Sequence, residues 1–179
     1  MRQPRSNDAA ACVLRDLCAD IPGELELVVK RSMQTVLETI PELGGSEQRA
    51  RELLPNFDAT AMREMYARDL QRPSTHRLVV AEVDGALVGH VIYFLRPDAH
   101  DLGPSGYVFT IYVDPPHRRA GIAYELLGHA VSWLGAQGAR VITAHTHVDN
   151  QSFLRLATRH AFRVTERLES PWPHWALVR

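Results

Sequence analysis

Apolar residues along this chain change their spacing near residue 76, and the change divides a helical first part from a sheet-forming second part. In the first part Val29, Met33, Val36, Leu37 and Ile40 recur at helical spacing. Asp20 and Pro22 supply opening signals for that helix, and "PELGG" stops it. Ser46 then caps a short turn through Leu54, which Pro55 interrupts. Asp58 caps a further helix with Met62, Met65, Tyr66 and Leu70 on one face. Ahead of these, "CVLRDL" reads as a first short strand and residues 1–9 as a loose tail, leaving 10–179 as a single domain.

From His76 the period shortens. "HRLVVAEV" and "ALVGHVIYFL" flank Asp84-Gly85, a dipeptide suited to a type I′ hairpin turn because both central positions need positive φ. "GYVFTIYV" is a further strand, followed by a helix from about Ala120 to Gln137 that Gly138 ends. "ARVITAHTH" reads as a strand, "NQSFLRLATRHA" as a helix, and "FRVTERL" and "HWALV" as closing strands. The order is helices, an antiparallel hairpin and strand, then β-α-β-α-β-β. It predicts an α/β fold: a three-layer α/β/α arrangement around a mixed, mostly antiparallel sheet.

Composition adds bounds. A chain of 179 residues suits one domain with a proper core, and 45% hydrophobic with 23% charged residues is ordinary for a globular protein. The formal net charge of -1 gives no reason to expect a nucleic-acid or anionic-membrane partner. Residues 1–90 carry 11 basic and 14 acidic side chains and residues 91–179 carry 9 and 7, so an anionic ligand would suit the second part better. Cys12 and Cys18 lie too close to brace a fold and lack CxxC spacing, which points to a reduced, cytoplasmic chain. The first residues have no long apolar stretch ahead of a cleavage site, and no segment approaches the ~18 apolar residues of a membrane span.

The stretch "HRRAGIA", residues 117–123, stands at a strand-to-helix corner. A helix N-terminus leaves backbone N–H groups without partners and carries partial positive charge. Gly121 permits close approach to the backbone, Ala123 is nearly as small, and Arg118 and Arg119 add cationic charge. Together with Ala120 and Ile122 these residues suit a phosphate or diphosphate, although an ordinary basic helix start would read the same way. Neither a Walker loop nor G-x-G-x-x-G is present.

"VDPPHRRAGIAYELL" resembles the signature of the GCN5-related N-acetyltransferase superfamily, [Q/R]-x-x-G-x-[G/A], with Arg118, Gly121 and Ala123 in the defined positions. The Asp-Gly hairpin with Gly89, the stretch "TIYVDPPHRR", and Asn150 with Phe162 fall in the same family order, so the resemblance covers about residues 76–168. It implies that the loop amides bind the diphosphate of acetyl-CoA as co-substrate. It also implies that backbone groups of Ile111 and Val113, beside Tyr112, pair with the pantetheine arm, and it places Asn150 at the cofactor site. The implied reaction acetylates a primary amine of a small molecule or peptide. By the same analogy late strands can pair between subunits, which gives a homodimer.

Two family features are missing. Thr110 stands where many members have a glutamate, and Ala157 where many have a tyrosine acid. A module that binds acyl-CoA without turnover is therefore the alternative. Lack of a base matters more than lack of an acid, because an alkylamine of pKa about 10.4 is almost wholly protonated at neutral pH, whereas a thiol of pKa about 8.5 leaves readily. His145, His147 and Asp149 alternate along "AHTHVD" and share one strand face. They read as a hydrogen-bonded face, as a base, or as a metal site for which no further motif speaks. Tyr112 reads as packing or as a proton donor. Asp98 and His100 are weaker candidates. By the same resemblance Phe57, Met62, Trp172 and Trp175 would form an acceptor wall, or else they are simply core and rim. Glu42, Glu47, Glu52 and Asp58 are either solvated or attract a cationic amine.

Overall fold

The structure, a computed structural model, describes residues 11–54, 57–96, 103–169 and 172–179. The expected tail at 1–9, Pro55, Asp98 and His100 lie outside the described residues. The first strand, β1 (Val13–Asp16), leads to α1 (Glu24–Thr39). That helix starts later than Asp20 and Pro22 suggest. Tertiary contacts set its start: the Glu24 carboxylate is paired with Arg15 of β1 and accepts the Cys18 N–H, and Gly23 turns the chain at φ 84° just before it.

A 3-10 turn (Pro41–Leu43) leads to α2 (Glu47–Leu53) and α3 (Ala59–Leu70). Ser46 and Asp58 cap the two helices as expected, accepting from the N–H groups of Arg49 and Ala61 at 3.3 and 2.8 Å. Strands β2 (His76–Val83) and β3 (Ala86–Arg96) form the hairpin, with Asp84 at φ 51° and Gly85 at φ 75°, both left-handed as a type I′ turn requires. Then come β4 (Ser105–Val113), α4 (Ile122–Ala136), β5 (Val141–His147), α5 (Gln151–Arg159), β6 (Arg163–Leu168) and β7 (His174–Val178).

The sheet order is β1-β2-β3-β4-β5-β7-β6, and every pairing is antiparallel except β4 with β5. Alternation along the strands feeds two cores. Val79, Val91 and Tyr93 pack with Leu126, Leu127 and Leu134 of α4, whereas Leu78, Val80 and Ile92 pack with Val28, Val29 and Tyr66 of α1 and α3. The three-layer expectation holds. Cys12 and Cys18 are both free thiols. Among the described residues no helix is long and apolar enough to cross a membrane.

A single irregularity positions the site. Ile92 pairs with Thr110 and Tyr93 with Val108, so Phe109 is an extra residue in β4. Such a bulge bends its strand and increases the local twist. The parallel ladder to β5 ends at Val108 and Ala144, so the two strands continue without pairing and leave a wedge between them.

His90, on β3, is fully enclosed beneath α1, and its Nε2 lies 3.2 Å from Ser32 Oγ. Burial, with nearby Arg31 adding to it, pushes its pKa down to about 3. An unfolded histidine titrates near ~6.5. Below that pH the unfolded chain takes up a proton that the folded one refuses. The stability His90 contributes is therefore complete above about pH 6.5 and lost as pH falls toward its folded value, at up to about 1.4 kcal/mol per pH unit. Urea melts at pH 6.5 and 5 should differ by about 2 kcal/mol from this group. His90→Gln should flatten the difference; an unchanged slope in that variant would remove His90 as its source.

Candidate active site

Gly121 precedes α4 at φ 88°, and Arg119, two residues earlier, is also left-handed at φ 67°. These turns direct the chain so that the N–H groups of Tyr124 and Glu125 return to the Gly121 carbonyl at 2.9 and 3.1 Å. The N–H groups of Arg119, Ala120, Gly121, Ile122 and Ala123 have no backbone or side-chain acceptor among the described residues. A Cβ built on Gly121 would meet nothing within 4 Å, so packing does not exclude a side chain there. The geometry is a cradle of donors at the positive end of a helix. The helix begins at Ile122 rather than Ala120, which leaves Ala120 and Gly121 in the loop.

This cradle opens into a cleft of about 890 Å³ that runs between β4 and β5 and beneath α1. β4 has β3 on one side through Val113, but no strand on the other beyond Val108. Backbone groups pointing away from β3 therefore face the cleft. The Val113 carbonyl is one of them, and Arg118 Nε donates to it at 2.8 Å. Ile111 and Val113 thus stand at the open edge, and Tyr112 lines the cleft between them.

Arg118, expected to add cationic charge beside the loop amides, is engaged elsewhere in this structure. Its guanidinium lies over the Tyr112 ring at 5.4 Å and reaches back to Glu38 of α1 at 2.8 Å. Arg119, by contrast, has no ion pair with any described residue.

The two strand histidines prove to be unlike each other. His147 Nδ1 accepts the Asp149 N–H at 3.1 Å, and Nε2 faces Glu42 Oε1 at 3.2 Å. That pattern fixes the tautomer with hydrogen on Nε2 and leaves no free lone pair, so His147 ties β5 to the 3-10 turn. His145 has no hydrogen bond from either ring nitrogen among the described residues. It meets Tyr107 edge-on, with ring centroids 5.7 Å apart, and lies 5.4 Å from His174. Burial lowers its pKa, and His174 and Arg96 lower it further, so the ring is neutral near pH 7 with a lone pair open to the cleft. Asp149 points to solvent. Among the described residues no group of three or more His, Cys, Asp or Glu gathers to hold a metal.

Asn150 serves first as a helix cap: Oδ1 accepts the Phe153 N–H at 3.1 Å, and Nδ2 donates to Thr146 Oγ1 at 2.9 Å. Burial raises the Tyr112 phenol, with Glu38 contributing, so it remains protonated at neutral pH. Thr110 lines the cleft with its hydroxyl buried and without a partner among the described residues, and Tyr66 of α3 lines it with its hydroxyl toward Ser32. Met62 and Trp172 also line it. Ala157 is completely buried in the core and offers nothing to the cleft.

The residues missed in the sequence are Glu38, Tyr66, His174 and Phe109. Phe109 is 42% exposed on the cleft wall, an apolar ring brought there by the bulge. His174 donates from Nδ1 to the Trp172 carbonyl at 2.9 Å, which leaves Nε2 available. One signal for Glu38 lay in the pattern itself. Ser32, Thr35 and Thr39 interrupt the inward face of α1 with polar groups, and all three line the cleft.

Donor cradle, splayed parallel strands and a cleft continuing to a second set of helices together define an acyltransferase architecture. The acetyltransferase (GNAT) family model matches residues 46–162, and the chain belongs to that family. The chain is similar to the L-2,4-diaminobutyric acid acetyltransferase of Nocardia farcinica, at 30% identity over 93 residues. That match covers 50% of this chain and 47% of the relative, so the chain spans about half the length of the curated relative it matches. Its fold is similar to that of the PaiA N-acetyltransferase of Thermoplasma acidophilum, solved with coenzyme A. The TM-score is 0.71 and the identity 15%, covering 94% of this chain and 98% of that one. Arabidopsis thaliana Naa50, solved with the bisubstrate analogue CoA-Ac-MVNAL, gives a TM-score of 0.65 at 16% identity, covering 94% and 97%. At these identities the likeness is one of fold.

Proposed function

We propose that this chain is an acetyl-CoA-dependent N-acetyltransferase that acts on a primary amine of a small molecule or peptide. One observation carries the reading: five adjacent N–H groups, Arg119 to Ala123, stand without acceptors among the described residues at the head of α4, where the cleft begins. Acetyl-CoA supplies an activated acetyl carbonyl and a thiol leaving group. The loop amides would hold its diphosphate, and the edge groups of Ile111 and Val113 its extended arm. His145 takes a proton from the incoming amine. The Tyr112 phenol can donate one to the departing sulfur, and the Thr110 hydroxyl can orient the nitrogen. The Nocardia relative, by its name, acts on an amino acid carrying a second amine, which favours a small amine here. The free thiols of Cys12 and Cys18 suit a reducing, cytoplasmic setting. A homodimer belongs to the proposal, because β6 is a sheet edge with Val164 49% exposed.

The test is thiol release from acetyl-CoA with a panel of amines that includes diaminobutyrate and short peptides, paired with thermal melts. Bound at about 100 Kd, acetyl-CoA should add about 2.7 kcal/mol of stability. Release with at least one amine, together with that stabilisation, is expected. Stabilisation with no release from any amine would leave the binding module, and neither effect would sink both readings.

A further inference from the structure

Two ion pairs join α1 to the chain that follows β4, and they differ in kind. Arg31 grips Asp114 with two nitrogens and also donates to the Leu87 carbonyl at 2.8 Å; its side chain is only 8% exposed. Glu38 and Arg118 share one contact of 2.8 Å, with side chains 35% and 43% exposed. The first is a fixed brace. The second is a pair of the sort that contributes about 0–1 kcal/mol.

The weaker pair stands at a crossing. Arg118 adjoins the first free amide of the cradle, covers the Tyr112 ring, and fills the open-edge carbonyl of Val113. Guanidinium groups bind phosphate oxygens with charge-assisted, often two-pronged bonds, stronger than a single exposed contact to carboxylate. On the other side of the pair, Glu38 is the single carboxylate among the cleft-lining described residues. It would stay in place without Arg118, because Gln34 Nε2 holds its Oε1 at 2.6 Å.

We propose that Glu38 is the ligand for a cationic acceptor amine, and that Arg118 covers it until a CoA diphosphate draws the guanidinium away. The inference rests on the acetyl-CoA reading above and adds to it the residue that receives the acceptor. Exchange of partners uncovers a carboxylate, the Tyr112 ring and the Val113 carbonyl in one movement. The cleft thereby gains a negative charge only when CoA is present. The acceptor is an alkylammonium.

Isothermal titration with CoA tests the exchange on wild type, Glu38→Gln, Arg118→Gln and the double variant. Both side chains are partly exposed, so the variants should fold. Glu38→Gln should bind CoA about two- to fivefold more tightly, the range an exposed pair allows, because Arg118 no longer has to leave a charged partner. Arg118→Gln should bind about tenfold more weakly, and the double variant should match it. Equal or weaker CoA binding by Glu38→Gln would overturn the exchange. In the thiol-release assay at saturating acetyl-CoA, the same variant should raise the amine KM about tenfold or more, with kcat within about threefold. An unchanged amine KM would overturn the role of Glu38. Wild type failing to bind CoA at all would overturn the enzymatic reading and this one together. Wild-type CoA binding with no gain in Glu38→Gln would fell this proposal alone.

Discussion

Gly121→Leu should weaken CoA binding by about a hundredfold or more, a loss of about 2.7 kcal/mol, while the protein still melts cooperatively. The two effects separate because the constraints at this glycine are separate. Beyond its chain neighbours, a Cβ there meets no atom of the described residues within 4 Å, so no clash with them follows. What remains is φ 88°, a conformation that costs a non-glycine residue about 1–2 kcal/mol, within the margin of a typical domain. Binding suffers more. A leucine side chain would occupy the space into which the free amides point, and any relaxation of φ would turn those amides away. Gly138 provides the control: it has φ 85° at the far end of α4 and equally open surroundings. Gly138→Leu should cost similar stability and leave CoA affinity within about twofold. Equal losses of CoA affinity in both variants would show that the cradle is not the binding site.

How much of this was legible beforehand follows from the range of the forces involved. The Asp84-Gly85 turn and the Ser46 and Asp58 caps were readable because each is settled by bonds within three or four residues. The cradle was readable for the same reason, since glycine and helix start sit side by side. The start of α1 was misplaced because Glu24 is held by Arg15 and, through it, by Glu82 of β2. That constraint comes from the sheet, and no local capping rule contains it. The bulge at Phe109 was invisible: an extra residue changes strand pairing without changing local composition. It creates the wedge that gives the family signature something to serve.

Histidine roles were the least legible feature. His145 and His147 occupy equivalent positions in the strand pattern and differ only through contacts made across the fold. Glu42, 105 residues distant in sequence, faces Nε2 of His147, and the Asp149 amide takes the other nitrogen. Likewise Arg118, read from the sequence as cationic charge for a phosphate, is held in this structure by Glu38, 80 residues away. Sequence pattern places a residue on a face; the partner that decides its chemistry arrives from elsewhere in the chain.

His145→Ala should lower kcat/KM for the amine by about a hundred- to a thousandfold, within the usual range for a positioned acid or base. The pH dependence distinguishes this from a packing effect. The base works as the neutral imidazole, and its pKa is held below the ordinary value of 6.5 by burial, His174 and Arg96. Activity should therefore be fully supported by this group at pH 7 and lost as pH falls through its pKa. In wild type this gives an acid limb below about pH 6.5. Ionisation of the amine gives another limb at higher pH that moves when an amine of different basicity is used; the His145 limb stays fixed. His145→Ala should lack the fixed limb. His147→Gln should keep it, while losing stability because Glu42 and the Asp149 N–H lose their partner. A fixed acid limb that persists in His145→Ala, with rates within a few-fold of wild type, would assign the proton to another group, and His174, with Nε2 free on the same wall, would be the next to test.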